Sequence, residues 1–342
     1  MYNFLMFLRG FNNLKIGIPR ALLYYYYYPL WKTFFETLGC EVIISGKTTI
    51  DLLDKGIKAS VSDICVPIKI LNGHVLELLE SDVDYIFLPR MMSIRKGEFF
   101  CPKFMGLPDM VRHSLPGAKD KILFPNISSL SDDISDDKLY YDMGQRLGVT
   151  DKNIKESLKE GRKVWNEFRR FSKEDYTALE AMDYVLEGKL PEKQVEDINI
   201  TIGLMGYVYD VYDDLVSMGI VDRLRKMGVK VITFEMMDEV MLDRELDSMK
   251  KRLFWTFSNK LLAAGYKFLK DESIDGIIHV TAFGCGPDSL IGKLMEIDSE
   301  KLGKPFMTIR VDEHTGENHL QTRIEAFVDM IYRKKSKYIK EA

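Results

Sequence analysis

Gly276-Ile277-Ile278-His279-Val280, continued by Thr281-Ala282-Phe283-Gly284-Cys285-Gly286-Pro287-Asp288-Ser289, is the stretch that decides the fold. The first five residues form an apolar run that predicts a buried strand, and residues 289–297 carry helical spacing. A cysteine flanked by glycines therefore stands at a strand's carboxyl end, just before a helix. In an open α/β sheet that edge is where ligands bind. Gly284 and Gly286 let the backbone come close to whatever the sulfur holds. N–H groups at the start of the coming helix favour an anion. A thiolate is such an anion, and so is an iron–sulfur cluster of net negative charge. The competing reading is a buried structural cysteine in a tight turn.

The same strand–turn–helix rhythm recurs on either side. Residues 15–20, 40–45, 84–90 and 121–125 predict strands in the first half; 198–206, 228–234 and 304–310 predict them in the second. Helices are expected at 21–38, 67–80, 107–114, 207–214, 253–269 and 320–332. The aromatic tract at 24–28 recurs at helical spacing with Leu30, Phe34 and Leu38, which points to core packing. Such alternation predicts an α/β protein with two flavodoxin- or Rossmann-like doubly wound lobes, at 14–130 and 197–342. The charged segment 131–196, with helical spacing at Ile154, Leu158, Val164, Phe168 and Phe171, predicts a helical connector with a solvated face. The halves share a layout: an Ile-Gly strand, a helix, then Gly39-Cys40-Glu41-Val42 or Gly228-Val229-Lys230-Val231.

Composition narrows the function. Over 342 residues, 46% hydrophobic and 29% charged with net charge −4, nothing marks a nucleic-acid or membrane-surface binder. No apolar run reaches the roughly 18 residues of a membrane span. Residues 1–9 are apolar but lack a basic region and a small-residue cleavage site, so they read as a short extension of a cytoplasmic protein. Of the four cysteines, Cys40 opens a strand and reads as a core thiol. Cys65, Cys101 and Cys285 lie in turns bearing proline or glycine. Without any Cys-x-x-Cys pair, a metal site must be assembled from distant parts of the chain. Thiolates select zinc or iron–sulfur clusters, and zinc would take His314 or a water as fourth ligand. The stretch from Gly286 to Leu294 differs from a phosphate loop: five residues separate its glycines and Leu294 follows Lys293. Asp312, Glu313, His314 and Glu317 follow the last strand, either lining a site or forming a polar turn that caps the terminal helix.

Five motifs together resemble the 2-hydroxyacyl-CoA dehydratase superfamily, and within it the small activase-related members close to the double-cubane cluster proteins. They are Ile16-Gly17-Ile18-Pro19-Arg20, Ser62-Asp63-Ile64-Cys65-Val66-Pro67, Phe100-Cys101-Pro102, Phe283-Gly284-Cys285-Gly286-Pro287-Asp288 and Asp312-Glu313-His314-Thr315-Gly316-Glu317. The resemblance implies a two-lobed protein holding a 4Fe-4S cluster on Cys65, Cys101 and Cys285, alone or as half of an 8Fe-9S double cubane. Gly284 and Gly286 N–H groups would tune such a cluster, and Lys69, Lys103 and Arg20 would offset its charge. It further implies a separate ATP-dependent iron–sulfur activator delivering low-potential electrons, a small-molecule substrate and a homodimer. The absence of an ATP motif agrees with that division of labour. Two rival expectations are a subunit of a 2-hydroxyacyl-CoA dehydratase and a non-redox two-lobed binding protein.

Overall fold

A computed structural model describes residues 14–189, 200–249, 251–315 and 317–341, with side chains in the last helix at 320–336 only. The extension read at 1–9 lies outside the described residues. The chain divides into two compact units. The first comprises Met1–Arg170, Ala181–Lys189 and Phe254–Thr256, and the second Phe171–Glu180, Leu190–Leu253 and Phe257–Ala342.

Elements of the first half run β1 (Lys15–Ile18), α1 (Tyr24–Thr37), β2 (Glu41–Ile44), α2 (Ile50–Lys58), α3 (Val66–Glu80), β3 (Tyr85–Phe87) and β4 (Arg90–Ser93). Then come α4 (Pro102–Met105), α5 (Leu107–Ser114), β5 (Ile122–Leu123), β6 (Asn126–Ser128), α6 (Tyr141–Leu147), α7 (Asp151–Ser172) and α8 (Ala178–Glu187). The main sheet has the order β2-β1-β3-β5 with every neighbour parallel. Parallel neighbours need crossovers, which the helices supply. A separate parallel pair, β4 and β6, continues beyond β3 and β5. The tyrosine tract is core, as its spacing predicts. Tyr24 to Tyr28 are all buried, the Tyr26 hydroxyl donates to Asp132 Oδ2 at 2.9 Å, and Tyr27 stacks on Trp165 with ring centroids 5.9 Å apart. Trp31 and Phe35 press on Phe87 of β3 at 5.2 and 5.0 Å.

The second half runs β7 (Ile200–Met205), α9 (Val208–Tyr212), α10 (Asp214–Ser217), α11 (Ile220–Lys226), β8 (Val229–Ile232), α12 (Glu239–Asp247) and α13 (Thr256–Lys270). It ends with β9 (Gly276–Ala282), α14 (Gly286–Leu302), β10 (Phe306–Val311) and α15 (Glu317–Glu341). Its sheet has the order β10-β9-β7-β8, again parallel throughout. All seven residues of β9 are buried, as an inner strand of a parallel sheet requires. The helix expected over 207–214 is broken because Asp213 accepts the N–H groups of Leu215 and Val216 and starts α10. The helix expected from 253 begins at Thr256. Asn259 holds the Leu253 N–H and carbonyl at 2.7 and 2.9 Å and keeps that residue outside the helix. Among the described residues no helix is long and apolar enough to cross a membrane.

Candidate metal centre

Three of the four cysteines share one local geometry. Each is the N-cap of a helix, with extended backbone (φ/ψ −64/148 for Cys65, −64/155 for Cys101, −85/102 for Cys285) and a proline inside the first turn. In none does the sulfur cap its own helix. Cysteine is absent from the favoured N-cap types, Ser, Thr, Asp and Asn, so capping does not explain the repetition. What a thiol gains at a helix start is stabilisation of its ionised form. The helices α3 and α14, of 15 and 17 residues, are long enough to present an anion-favouring N-terminus. The single turn α4 serves to place Cys101.

The sequence builds each turn differently. At Cys285, Ala282 closes β9, Gly284 turns the chain at φ +80°, and the Cys285 N–H reaches back to the Ala282 carbonyl at 3.2 Å. Glycine is required at that positive φ. A Cβ at Gly286 would meet nothing within 4 Å, so the space beside this cap is open. Cys65 starts α3, which must run back to the amino end of β3 and so begins toward the sheet's carboxyl edge. Its carbonyl accepts the Ile68 N–H at 3.0 Å. Cys101 is anchored by the Phe100 N–H to the Met92 carbonyl on β4 at 3.0 Å. Cys40 differs on every count. It is buried ahead of β2, and burial, helped by Asp84, pushes its thiol up to about 11, which makes it a poor metal ligand at neutral pH.

None of the four cysteines is in a disulfide. Cys65 and Cys101 belong to the first unit and Cys285 to the second. Among the described residues no three His, Cys, Asp or Glu side chains are gathered as they would be around a bound ion. By donor chemistry a thiolate at any of these positions suits an iron–sulfur cluster or zinc.

The remaining expected residues fall into plain roles. Arg20 donates its backbone N–H to Ser45 Oγ at 2.8 Å and lies over the Tyr24 ring at 5.8 Å. Lys69 is buried on α3, and Lys103 lies on α4, two residues after Cys101. In the 312–317 group, Asp312 Oδ1 accepts the His314 N–H at 2.9 Å and the Thr315 hydroxyl at 2.7 Å. Those bonds hold the Asp312 carboxyl below its ordinary range. His314 is exposed, and these bonds close a polar turn over residues 312–315. The Glu317 side chain lies outside the described residues.

One constellation escaped the sequence reading. On β9, His279 is fully buried and its Nε2 lies 3.0 Å from Oδ1 of Asp288, equally buried, on the first turn of α14. Asp210 of α9 is buried too, and its carboxyl is influenced by Asp288. An apolar strand run hid His279. The available signal was an acid three residues past Cys285, with a histidine in the strand before it.

Two family models match the chain. The CoA enzyme activase uncharacterised domain (DUF2229) matches residues 15–237 and includes Cys65 and Cys101. The 2-hydroxyglutaryl-CoA dehydratase D-component matches residues 214–331 and includes Cys285. No curated protein matches. Among solved structures, an FpvC mutant from Pseudomonas aeruginosa aligns over 94% of this chain and 100% of its own, with 10% identity and a TM-score of 0.27. A likeness that low says nothing of function.

Proposed function

We propose, since this chain belongs to the family of the CoA enzyme activase uncharacterised domain and carries a 2-hydroxyglutaryl-CoA dehydratase D-component domain, that it is an iron–sulfur protein of low-potential reduction. Cys65, Cys101 and Cys285 are its metal ligands. The supporting observation is their common placement: three thiols at helix N-caps, each with proline in the first turn and none used as a cap. A 4Fe-4S unit on three cysteines would supply one-electron transfer and leave one iron open to a small substrate. Electrons would come from a separate ATP-dependent activator in the cytoplasm. An 8Fe-9S double cubane in a homodimer is the form that adds a bridging sulfide.

Gly284 and Gly286 flank Cys285, and their N–H groups would tune a cluster held there through hydrogen bonds to sulfur. Arg20, Lys69 and Lys103 would balance its charge. Iron and acid-labile sulfide, measured on protein purified without oxygen, test this. About four irons per chain are expected for a 4Fe-4S unit, with sulfide in slight excess for the bridged form. Cys65→Ser, Cys101→Ser and Cys285→Ser should each strip the iron while Cys40→Ser keeps it. Full retention in Cys285→Ser overturns the ligand assignment.

The D-component match favours one second reading, a subunit of a 2-hydroxyacyl-CoA dehydratase. Slower hydrogen exchange at the Cys285 turn on adding a 2-hydroxyacyl-CoA ester would select it.

A further inference from the structure

Behind the Cys285 turn the second unit buries more acid than it neutralises. Asp210, Asp288 and His279 are each 0% exposed. His279 Nε2 and Asp288 Oδ1 are paired at 3.0 Å, but both oxygens of Asp210, the second oxygen of Asp288, Nδ1 of His279 and the Thr281 hydroxyl have no hydrogen-bond partner. Five buried polar atoms left open on α9, β9 and α14 are costly unless something occupies or protonates them. The walls are close. A Cβ on Gly292 of α14 would lie 2.7 Å from His279 Nδ1 and Cε1, and Phe306 of β10 stacks on the same ring at 6.4 Å. The charged groups that act on Asp210 are Asp288 from α14 and Asp213 from the α9–α10 junction, both of its own sign. With burial as the larger cause, they push its carboxyl well above the ordinary carboxylate range.

We propose that Asp210, Asp288 and His279 form a buried proton-holding site, with the proton resident on Asp210, whose charge is linked to that of the Cys285 turn. The linkage, though not the proton site itself, rests on Cys285 being a metal ligand. Asp210 follows β7 and Cys285 follows β9. These strands are neighbours where the sheet order reverses, so both groups stand at one switch point. Negative charge added at Cys285 raises the proton affinity of Asp210, and by reciprocity a proton on Asp210 makes reduction easier. Where Asp210 is ionised before reduction and neutral after it, one electron comes from a low-potential one-electron reductant. One proton comes from water and forms the carboxyl O–H. Asp210 acts here as a positioning residue for charge.

Infrared spectroscopy of the iron-free full-length protein is the first measurement. A deuterium-sensitive C=O band of a protonated carboxylic acid is expected at neutral pH, lost in Asp210→Asn and kept in Asp213→Asn. Asp288→Asn should move the band's titration to lower pH, because it removes a like charge. Absence of the band in the wild type, or its persistence in Asp210→Asn, overturns the proton site even if every iron is bound. In reconstituted protein the reduction potential should fall with pH over the range in which the band titrates, and stay flat there in Asp210→Asn. A flat wild-type profile overturns the linkage. Failure to bind iron would instead count against the ligand assignment, and the iron-free infrared result would still decide the proton site.

Discussion

His74 on α3 is fully buried, with Nε2 2.9 Å from the Thr48 hydroxyl. Burial, with Arg20 adding like charge, lowers its pKa to about 3. An unfolded chain takes a proton on this ring near pH 6.5, and the native one refuses it until about 3. His74 therefore contributes stability that is complete above about pH 6.5 and is lost as pH falls toward the native value, at up to about 1.4 kcal/mol per pH unit. Asp210 has the opposite sign: the native state holds a proton that the unfolded chain releases near pH 4, so its contribution declines as pH rises. The two slopes oppose each other between about pH 4 and 6.5, and only that of Asp210 remains above. Urea midpoints against pH should show Asp210→Asn flattening the decline above 6.5. His74→Gln should leave the Asp210 slope unopposed, so that the decline with rising pH begins near pH 4 instead of near 6.5. An unchanged profile in either variant would assign the pH dependence to other groups.

At the scale of elements, α2 and α3 touch backbone to backbone. A Cβ at Gly56 would lie 1.9 Å from the Lys69 carbonyl oxygen, and one at Gly73 would lie 2.3 Å from the Leu52 carbonyl oxygen. These obstacles are main chain, so neither alanine can be absorbed by a rotamer change. Gly73→Ala and Gly56→Ala are each expected to destabilise by about 1–3 kcal/mol, read as a lower urea midpoint. Since α3 starts at Cys65, both should also weaken iron retention; a neutral result would mean that the helix pair can slide. The buried strands of the two sheets are legible as apolar runs between turn signals, because a parallel strand is covered on both faces. The pair β4 and β6 is not. Arg90-Met91-Met92-Ser93 and Asn126-Ile127-Ser128 are short and half polar, and only the partner strand makes them regular. The cysteine caps are legible through their prolines and glycines. The Asp210–Asp288–His279 group is not, because burial alone turns three unremarkable residues into a site.

For the whole molecule, the two halves repeat one plan: the second strand, then the first, third and fourth, all parallel. The layout shared by residues 15–45 and 200–232 is an echo of that plan, faint because register and burial constrain residue type and not identity. Each unit carries its own sheet and core, yet the proposed ligands are divided between them. All three tryptophans, Trp31, Trp165 and Trp255, belong to the first unit, so tryptophan fluorescence reports the unfolding of that unit. A group bound by the native chain alone stabilises it by RT ln(1 + [L]/Kd), about 2.7 kcal/mol at a hundredfold excess over Kd. If Cys285 shares the cluster with Cys65 and Cys101, anaerobic loading with iron and sulfide raises the urea midpoint of the tryptophan signal. Cys285→Ser, a change in the other unit, should remove that rise while leaving the unloaded midpoint within about 0.5 kcal/mol of wild type, as for a partly exposed turn. An equal rise in Cys285→Ser would confine the metal to ligands of the first unit, and Cys285 would return to the structural thiol that a tight turn accommodates.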